Sequence, residues 1–166
     1  IIMASGTYVP IATTTLSSTT ASYTFTSIPQ TYKDLVLVMS GLVTSAASLY
    51  MRFNNDSGTN YSTTMMYGNS AGSATAYRFT NVTTAYLGAW RTTNIQNGIV
   101  NVQNYANTTT YKTYIAKNAN ASSGATAAIV GLWRKAPEAI NSIKVLASAN
   151  NFVAGSTFTL YGIKAA

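Results

Sequence analysis

Apolar and polar residues alternate along most of this chain in short runs, which clusters of Gly, Asn, Ser and Asp separate. Residues 98–105, 111–117 and 157–163 show this alternation, and they are rich in Thr, Tyr, Val, Ile and Phe. Because a period of two places successive side chains on opposite faces of an extended chain, each run predicts a half-buried β-strand. Residues 35–39 are apolar throughout, which predicts a strand covered on both faces.

Turn residues recur every ~8–12 positions, a spacing typical of sandwiches and barrels. No window shows sustained helical spacing of apolar residues with capping residues, although 44–48 and 136–140 have room for one helical turn each. The alternation of strands and helices that marks parallel α/β folds is absent. We therefore predict an all-β fold, an antiparallel β-sandwich of jelly-roll type with roughly ten strands and little or no helix.

The N-terminal segment differs from the rest, because residues 1–16 are apolar but irregular, with Pro10 and a run of three threonines. We expect residues 1–16 to be either the first strand or an arm that reaches a neighbouring subunit, and residues 17–166 to form a single β-sandwich domain. If the segment contacts a neighbour, its interface residues are Ile1, Ile2, Met3, Tyr8, Val9, Pro10 and Ile11.

Acidic side chains are very scarce: Asp34, Asp56 and Glu138 are the only three, and the chain has no His and no Cys. Most proton-transfer catalysis and most protein metal sites use these residue types. A Ser–His–Asp triad is excluded, and a glycosidase would need two of the three carboxylates within ~5–9.5 Å of each other. We predict that the chain is not an enzyme and that it needs no cofactor and no metal.

One segment, residues 54–60, combines Asn and Asp oxygens with Gly58, which is similar to a calcium-binding loop. An EF-hand loop would supply more acids and a closing glutamate. A tight turn capped by Asn and Asp side chains is the better interpretation, and a weak cation site near Asp56 is the alternative.

Charge is low and one-sided, since only 8% of residues are charged and the net charge is +7. Low surface charge limits the solubility of a free monomer but suits a subunit that is covered in an assembly. The ten cations are scattered, whereas a nucleic-acid site usually concentrates them. We therefore expect an acidic protein partner and no direct role in nucleic-acid binding. No apolar stretch reaches the ~20 residues of a membrane-spanning helix, so we expect no membrane partner.

Tyrosine is abundant, with 12 copies. Tyrosine has a flat apolar face and a hydrogen-bonding tip, which suits both protein interfaces and stacking on sugars. Two interpretations remain open for the aromatic residues of the strands: they form the core and rim of the sandwich, or they line a glycan groove. The candidate glycan-stacking residues are Tyr61, Tyr67, Tyr77, Tyr86, Trp90 and Tyr105.

Several segments together resemble a family of virion structural proteins of tailed bacteriophages. In the first, FTSIPQTYKDLVLV leads into a strand, and in the second, MRFNNDSGTNYS takes an Arg-Phe strand into an acidic glycine turn. The resemblance spans nearly the whole chain, in residues 25–38, 51–62, 104–112, 131–133, 140–143 and 155–163. It implies a β-sandwich particle component of the capsid or tail, and it implies no catalytic residues.

The resemblance leads to two expected functions. The first is a capsid decoration, or cement, protein that binds the outside of a phage head and stabilises it by burying surface between neighbouring capsid subunits. The second is a tail-fibre or spike domain that binds host surface glycans. In either case we expect a virion location, with assembly in the host bacterial cytoplasm. The expected partners are the major capsid protein or other virion proteins, together with copies of this chain, for which a trimer is the expected oligomer.

Overall fold

The computed structural model describes residues 6–69, 71–120 and 124–165. These residues contain twelve strands and no helix. The strands are β1 (Tyr8–Thr15), β2 (Ser22–Phe25), β3 (Asp34–Gly41), β4 (Ala47–Phe53), β5 (Tyr61–Gly68), β6 (Ala74–Val82), β7 (Ala85–Trp90), β8 (Gln96–Val102), β9 (Lys112–Asn120), β10 (Ala125–Trp133), β11 (Ile143–Ala147) and β12 (Thr157–Ile163).

The strands form two antiparallel sheets, as the alternation predicts. The larger sheet has eight strands in the order β1-β12-β3-β8-β9-β10-β5-β6, and the smaller has four in the order β2-β11-β4-β7. The quartets β1-β12-β3-β8 and β2-β11-β4-β7 have the strand order of a jelly roll, in which two Greek keys alternate between the sheets. The predicted antiparallel sandwich of jelly-roll type is confirmed.

Two hairpins extend this jelly roll. β5–β6 lies between β4 and β7 in the chain, and β9–β10 lies between β8 and β11. Both hairpins join the larger sheet, so that sheet has twice as many strands as the smaller one. The added strands continue the larger sheet beyond β7, the edge strand of the smaller sheet, which packs against β9 and β10. β6 lies farthest out, at the end of the larger sheet.

One apolar core fills the space between the sheets. Its largest fully buried side chains are aromatic and include Trp90, Trp133, Tyr61, Tyr105 and Tyr114. Their polar atoms are mostly bonded: the Tyr114 hydroxyl lies 2.8 Å from Thr63 Oγ1 and donates to the Tyr86 carbonyl at 3.1 Å. Buried tyrosines with partners for their hydroxyls keep the full benefit of burying the ring.

Several strand ends differ from the prediction. The alternation continues to Tyr105, but β8 ends at Val102 because Asn104 adopts a positive φ of 49° and turns the chain. Asn tolerates this left-handed conformation better than most residues. The possible helical turns are also wrong: Ala47 and Ser48 begin β4, and residues 136–140 form an irregular connection.

Most of the described part of the N-terminal segment belongs to the larger sheet. Residues 8–15 form β1, which pairs with β12 from Tyr8–Ile163 to Thr15–Thr157 around a bulge near Pro10. Proline is tolerated there because β1 is the edge of the sheet.

Candidate functional site

All three acids lie at the same end of the sandwich, where strands β3, β5 and β9 begin. Asp34 accepts a hydrogen bond from the Asn104 backbone N–H at 2.6 Å. Glu138 forms an ion pair with Lys135 at 2.8 Å. Each of these carboxylates therefore fixes a connection between strands, a structural use of charge.

Asp56 is the most heavily bonded of the three. Its Oδ1 accepts from the Gly58 N–H at 2.9 Å, and its Oδ2 accepts from Asn60 Nδ2 at 2.9 Å and from Trp133 Nε1 at 2.6 Å. Partial burial acts to raise the pKa of this carboxyl, but the three donors together with Lys135 hold it below its usual range. Protein donors already point at both oxygens, so the geometry favours the capped turn over the cation site.

The turn itself agrees with this assignment. Asn54 and Asn55 adopt positive φ angles of 50° and 54°, which asparagine tolerates in turns. Among the described residues, no group of three or more acidic, His or Cys side chains is placed to hold a metal ion. No helix in the described part of the chain is long and apolar enough to cross a membrane.

Half of the candidate glycan-stacking residues are in the core. Tyr61, Trp90 and Tyr105 have no exposed surface, so they cannot stack on a sugar, and the core interpretation is the correct one for them. Tyr61 accepts from the Phe53 N–H at 3.0 Å, and Tyr105 donates to the Pro29 carbonyl. β5 and β7 present Tyr61 and Trp90 on the face that the other sheet covers, and Tyr105 lies in the turn that follows β8.

The other half lies at or near the surface. Tyr77 is 47% exposed although it points to the inner face of the larger sheet, because β6 extends past the smaller sheet. Tyr67 and Tyr86 are half-buried and line one small cavity together with Arg91 and Asn118. Burial raises the pKa of Tyr86, while the Ser48 side chain beside its hydroxyl acts in the opposite direction.

A groove lies between β6 and the outer face of the smaller sheet at its edge strand β7. Tyr50 and Tyr86 are cross-strand neighbours on that face, with ring centroids 5.9 Å apart, and Phe79 of β6 lies 5.7 Å from Tyr86. The cavity measures about 440 Å³. We call it the tyrosine groove, and it is lined by Ser48, Tyr50, Phe79, Val82, Thr83, Thr84 and Tyr86.

Tyr50 and Phe79 were missed from the sequence as members of this site. Both occur in alternating runs, where the sequence gives no sign that their faces stay open. One signal was available: Leu49 and Met51 flank Tyr50, and in a strand both of them point to the face opposite Tyr50. If Leu49 and Met51 face the core, Tyr50 faces outward.

The outer face of the larger sheet carries a second exposed feature. Cross-strand pairs on this face are apolar: Val38 of β3 lies beside Ile99 of β8, and Ile115 of β9 lies beside Val130 of β10. Met66 is 67% exposed and Val130 57%, which is unusual for apolar side chains in mid-strand. We call this surface the outer apolar face, and its large members are Val38, Met66, Ile99, Ile115 and Val130.

Charge on the outer apolar face is positive. Lys117 stands between Ile99 and Ala128 in the register, and two shallow depressions of about 620 and 340 Å³ flank it. Arg78 lies near the far edge and donates to Thr64 Oγ1 at 3.0 Å. The one carboxylate of this face, Asp34, is at the end of β3, outside the apolar rows.

The predicted interface residues of the N-terminus lie beside this face. Tyr8 is exposed and packs edge-on against Tyr161 at 6.1 Å, and Pro10 is exposed next to it. Val9 is half-buried, and Ile11 packs against the core. Ile1, Ile2 and Met3 lie outside the described residues.

No protein-family model matches the chain. No curated protein matches it either. Among solved structures, a tetrameric galectin from the ball sponge Cinachyrella sp. aligns with 86% of this chain and 99% of its own, at 10% identity and a TM-score of 0.39.

Two further structures are similar at the same distant level. An exo-inulinase from Aspergillus awamori aligns with 94% of this chain but only 29% of its own length, at 9% identity and a TM-score of 0.40. The CBM2 module of the evolved Dit of Lactobacillus casei BL23 phage J-1 aligns with 98% of this chain and 81% of its own, at 8% identity and a TM-score of 0.21. TM-scores this low carry no inference about what this chain does.

Proposed function

We propose that this chain is a non-catalytic structural protein of a tailed-phage virion, and specifically a capsid decoration protein. The observation that carries the proposal is the outer apolar face, where Met66 and Val130 are largely exposed although both lie within strands of a broad sheet. A contiguous apolar surface of this kind typically marks a protein–protein contact.

The size of the larger sheet suits such a contact. The outer apolar face occupies five of its eight strands, from β3 to β5 in the sheet order. Eight strands spaced ~4.8 Å apart and about seven residues long give the whole outer surface of the sheet very roughly 34 by 23 Å. That area is close to the ~800 Å² that each partner contributes to a standard interface. One sheet face per subunit is therefore enough for a stable contact.

The positive charge of the outer apolar face indicates which kind of protein surface it would bind. Lys117 and Arg78 have no carboxylate within salt-bridge distance among the described residues, where the one ion pair is Lys135–Glu138. A second copy of the face would bring like charges together, whereas an acidic capsid surface would pair with them. The occupant that we propose is an acidic surface of the major capsid protein or another virion protein.

In this role the protein assembles with the particle in the host cytoplasm and stabilises the head by burying surface between neighbouring subunits. Tyr8 and Pro10 border the face and would extend the contact at its β1 edge. A homotrimer would present three such faces together, and light scattering of the purified protein tests that oligomer.

The decisive experiment uses heads of the phage that encodes this chain, prepared without it. Added protein is expected to bind them saturably and to raise their melting temperature. Val130→Lys, on the outer apolar face, is expected to abolish binding, while Thr24→Lys, which adds the same charge at an exposed position on the smaller sheet, is expected to bind normally. Absence of binding by the unmodified protein would reject the decoration role.

A tail-fibre or spike domain that binds host surface glycans is the second candidate function. The observation that favours it is the tyrosine groove, which combines exposed aromatic rings with hydroxyl side chains. Labelling of the intact virion with an antibody to this chain separates the two candidates by location, because the first predicts label on the head and the second predicts label on the tail.

A further inference from the structure

We infer that the tyrosine groove is a binding site for an acidic carbohydrate, with Tyr50, Tyr86 and Phe79 as stacking surfaces and Arg52 with Lys144 as the anion-binding end. The inference gives a ligand class and residues to the glycan-binding candidate, and it does not depend on the decoration role.

The shape and lining of the groove suit a sugar. Its volume of about 440 Å³ lies within the ~300–1,000 Å³ range of small-molecule sites. Flat aromatic faces stack on the apolar faces of sugar rings, and hydroxyl groups exchange hydrogen bonds with sugar hydroxyls. Both are present here, since Ser48, Thr83 and Thr84 surround the three rings.

The groove exists because of the two inserted hairpins. β6 lies beyond the reach of the smaller sheet, so Phe79 remains 38% exposed on a face that the core would otherwise cover. The adjoining turn at Thr83 and Thr84 leads directly into β7. It therefore connects the side of the groove that carries Phe79 to the side that carries Tyr86.

Two cations lie on the outer face of the smaller sheet, near one end of the groove. Arg52 lies opposite Lys144 in the β4–β11 register, on the same face as Tyr50. The β4–β7 register ends at Met51–Ala85, and Arg52 and the lining residue Thr84 are the next residues beyond that last pair. Arg52 is therefore the nearer cation, and Lys144 lies one strand farther from β7.

This pair has no internal counterion. Like charges directly opposite each other in a sheet are destabilising, and a nearby carboxylate would normally offset the repulsion. Within the described residues, neither Arg52 nor Lys144 forms an ion pair, and Arg52 Nε is buried without a hydrogen-bond acceptor. A bound carboxylate or sulfate group would supply the missing negative charge.

A peptide strand is a poorer occupant. Strand addition needs a regular edge with free backbone groups, but β7 has a bulge near Gly88, where φ is +112°. Side chains of the larger sheet also occupy its carbonyls: Tyr114 donates to the Tyr86 carbonyl and Asn118 to the Leu87 carbonyl.

The test is calorimetric titration of the full chain with hexagalacturonate, with its fully methyl-esterified form as the neutral counterpart and hexaglutamate as a probe of charge alone. We expect saturable binding of hexagalacturonate that weakens as salt is added. Binding of the ester is expected to be about 10-fold weaker or worse, because the charge-assisted bonds are lost.

Variants locate the site. Arg52→Gln is expected to weaken binding of hexagalacturonate about 10-fold while leaving the ester unaffected. Phe79→Ala is expected to weaken both ligands by up to about 10-fold, because stacking does not depend on charge. The matched controls are Lys117→Gln and Tyr8→Ala, exposed residues on the larger sheet, which are expected to bind as the unmodified protein does.

Four outcomes would overturn the inference: no saturable binding of hexagalacturonate, equal affinity for the ester, equal affinity for hexaglutamate, or a loss of binding in the control variants instead. Thermal unfolding shows whether each variant is folded. Because Arg52→Gln and Phe79→Ala remove different contacts, either variant still tests the site if the other fails to fold. Head binding by the decoration assay is a separate measurement and can succeed or fail independently.

Discussion

The ring of Tyr114 occupies the space that a side chain on Gly131 would need. These residues are cross-strand partners in β9 and β10, and a Cβ on residue 131 would lie 2.0 Å from two carbons of the ring. The absence of a side chain at position 131 allows the tyrosine to lie flat across the neighbouring strand and to carry its hydroxyl to Thr63 and the Tyr86 carbonyl.

Gly131→Ala is therefore expected to destabilise the protein by about 3 kcal/mol or more, at the upper end of overpacking in a core. Gly68→Ala in β5 is the control, because its Cβ would meet nothing closer than 3.8 Å and its change is expected to be within about 0.5 kcal/mol of zero. Urea unfolding followed by tryptophan fluorescence measures both. Equal stabilities of the two variants would contradict the close approach.

Asp56 makes the stability of the protein depend on pH in the acid range. Its folded pKa lies below 3.8, the value of the unfolded chain, so the folded state holds fewer protons there than the unfolded state does. The stabilisation by Asp56 is complete above about pH 4 and is lost as the pH falls through the folded pKa.

Asp56→Asn is expected to cost about 2 kcal/mol at pH 7, the worth of hydrogen bonds to a charged acceptor, and to cost less at about pH 2. Unfolding curves of both proteins at the two pH values test this. A difference in stability that stays constant with pH would show that the charge of Asp56 contributes nothing.

Buried tyrosines give the opposite dependence at alkaline pH. Burial raises the pKa of the Tyr114 hydroxyl above its ordinary value of 10.0. Above about pH 10 the unfolded chain loses the phenol proton first, so the stability of the folded state declines as pH rises. Below that pH both states are neutral at this position and the effect is absent.

Tyr114→Phe is expected to cost about 1 kcal/mol at pH 7, through the lost hydrogen bonds, and to decline less steeply than the unmodified protein between about pH 10 and 12. Urea unfolding across this range gives the slopes. Tyr61, whose pKa burial also raises, contributes a similar slope in both proteins and so serves as the internal reference. Identical slopes would indicate that Tyr114 ionises freely in the folded state.

The strands and their layering follow from the sequence because period-two alternation is a local property. In β9, Tyr114 and Ala116 point inward while Ile115 and Lys117 point outward, as the pattern predicts. The strand order is less accessible, since it depends on pairings between distant segments, such as β5 with β10.

The site is the least predictable part, for a physical reason. Tyr61 and Tyr77 occur in neighbouring strands of similar composition, yet one is fully buried and the other 47% exposed. They differ because the smaller sheet covers Tyr61 but does not extend as far as Tyr77, and the local sequence around either tyrosine does not indicate where that sheet ends. An aromatic residue in a predicted strand is therefore compatible with a core or with a groove until the extent of both sheets is known.

Two buried tryptophans offer a direct comparison of a bonded and an unbonded indole. Trp90 and Trp133 are both buried in the core. Trp133 Nε1 donates to Asp56 at 2.6 Å, whereas Trp90 Nε1 has no acceptor among the described residues. Replacement by Phe removes similar apolar area in each case, so the difference between the two variants isolates the N–H group.

Trp133→Phe is expected to destabilise the protein by about 2 kcal/mol more than Trp90→Phe, because it breaks a hydrogen bond to a carboxylate while the other substitution removes an unsatisfied donor. Urea unfolding at pH 7 measures the difference, and a repeat at acid pH is expected to reduce it, because the stabilisation by ionised Asp56 is lost as the pH falls through its folded pKa. A larger loss in Trp90→Phe than in Trp133→Phe would mean that packing around Trp90 and Phe152, whose rings meet edge to face at 5.8 Å, outweighs the hydrogen bond.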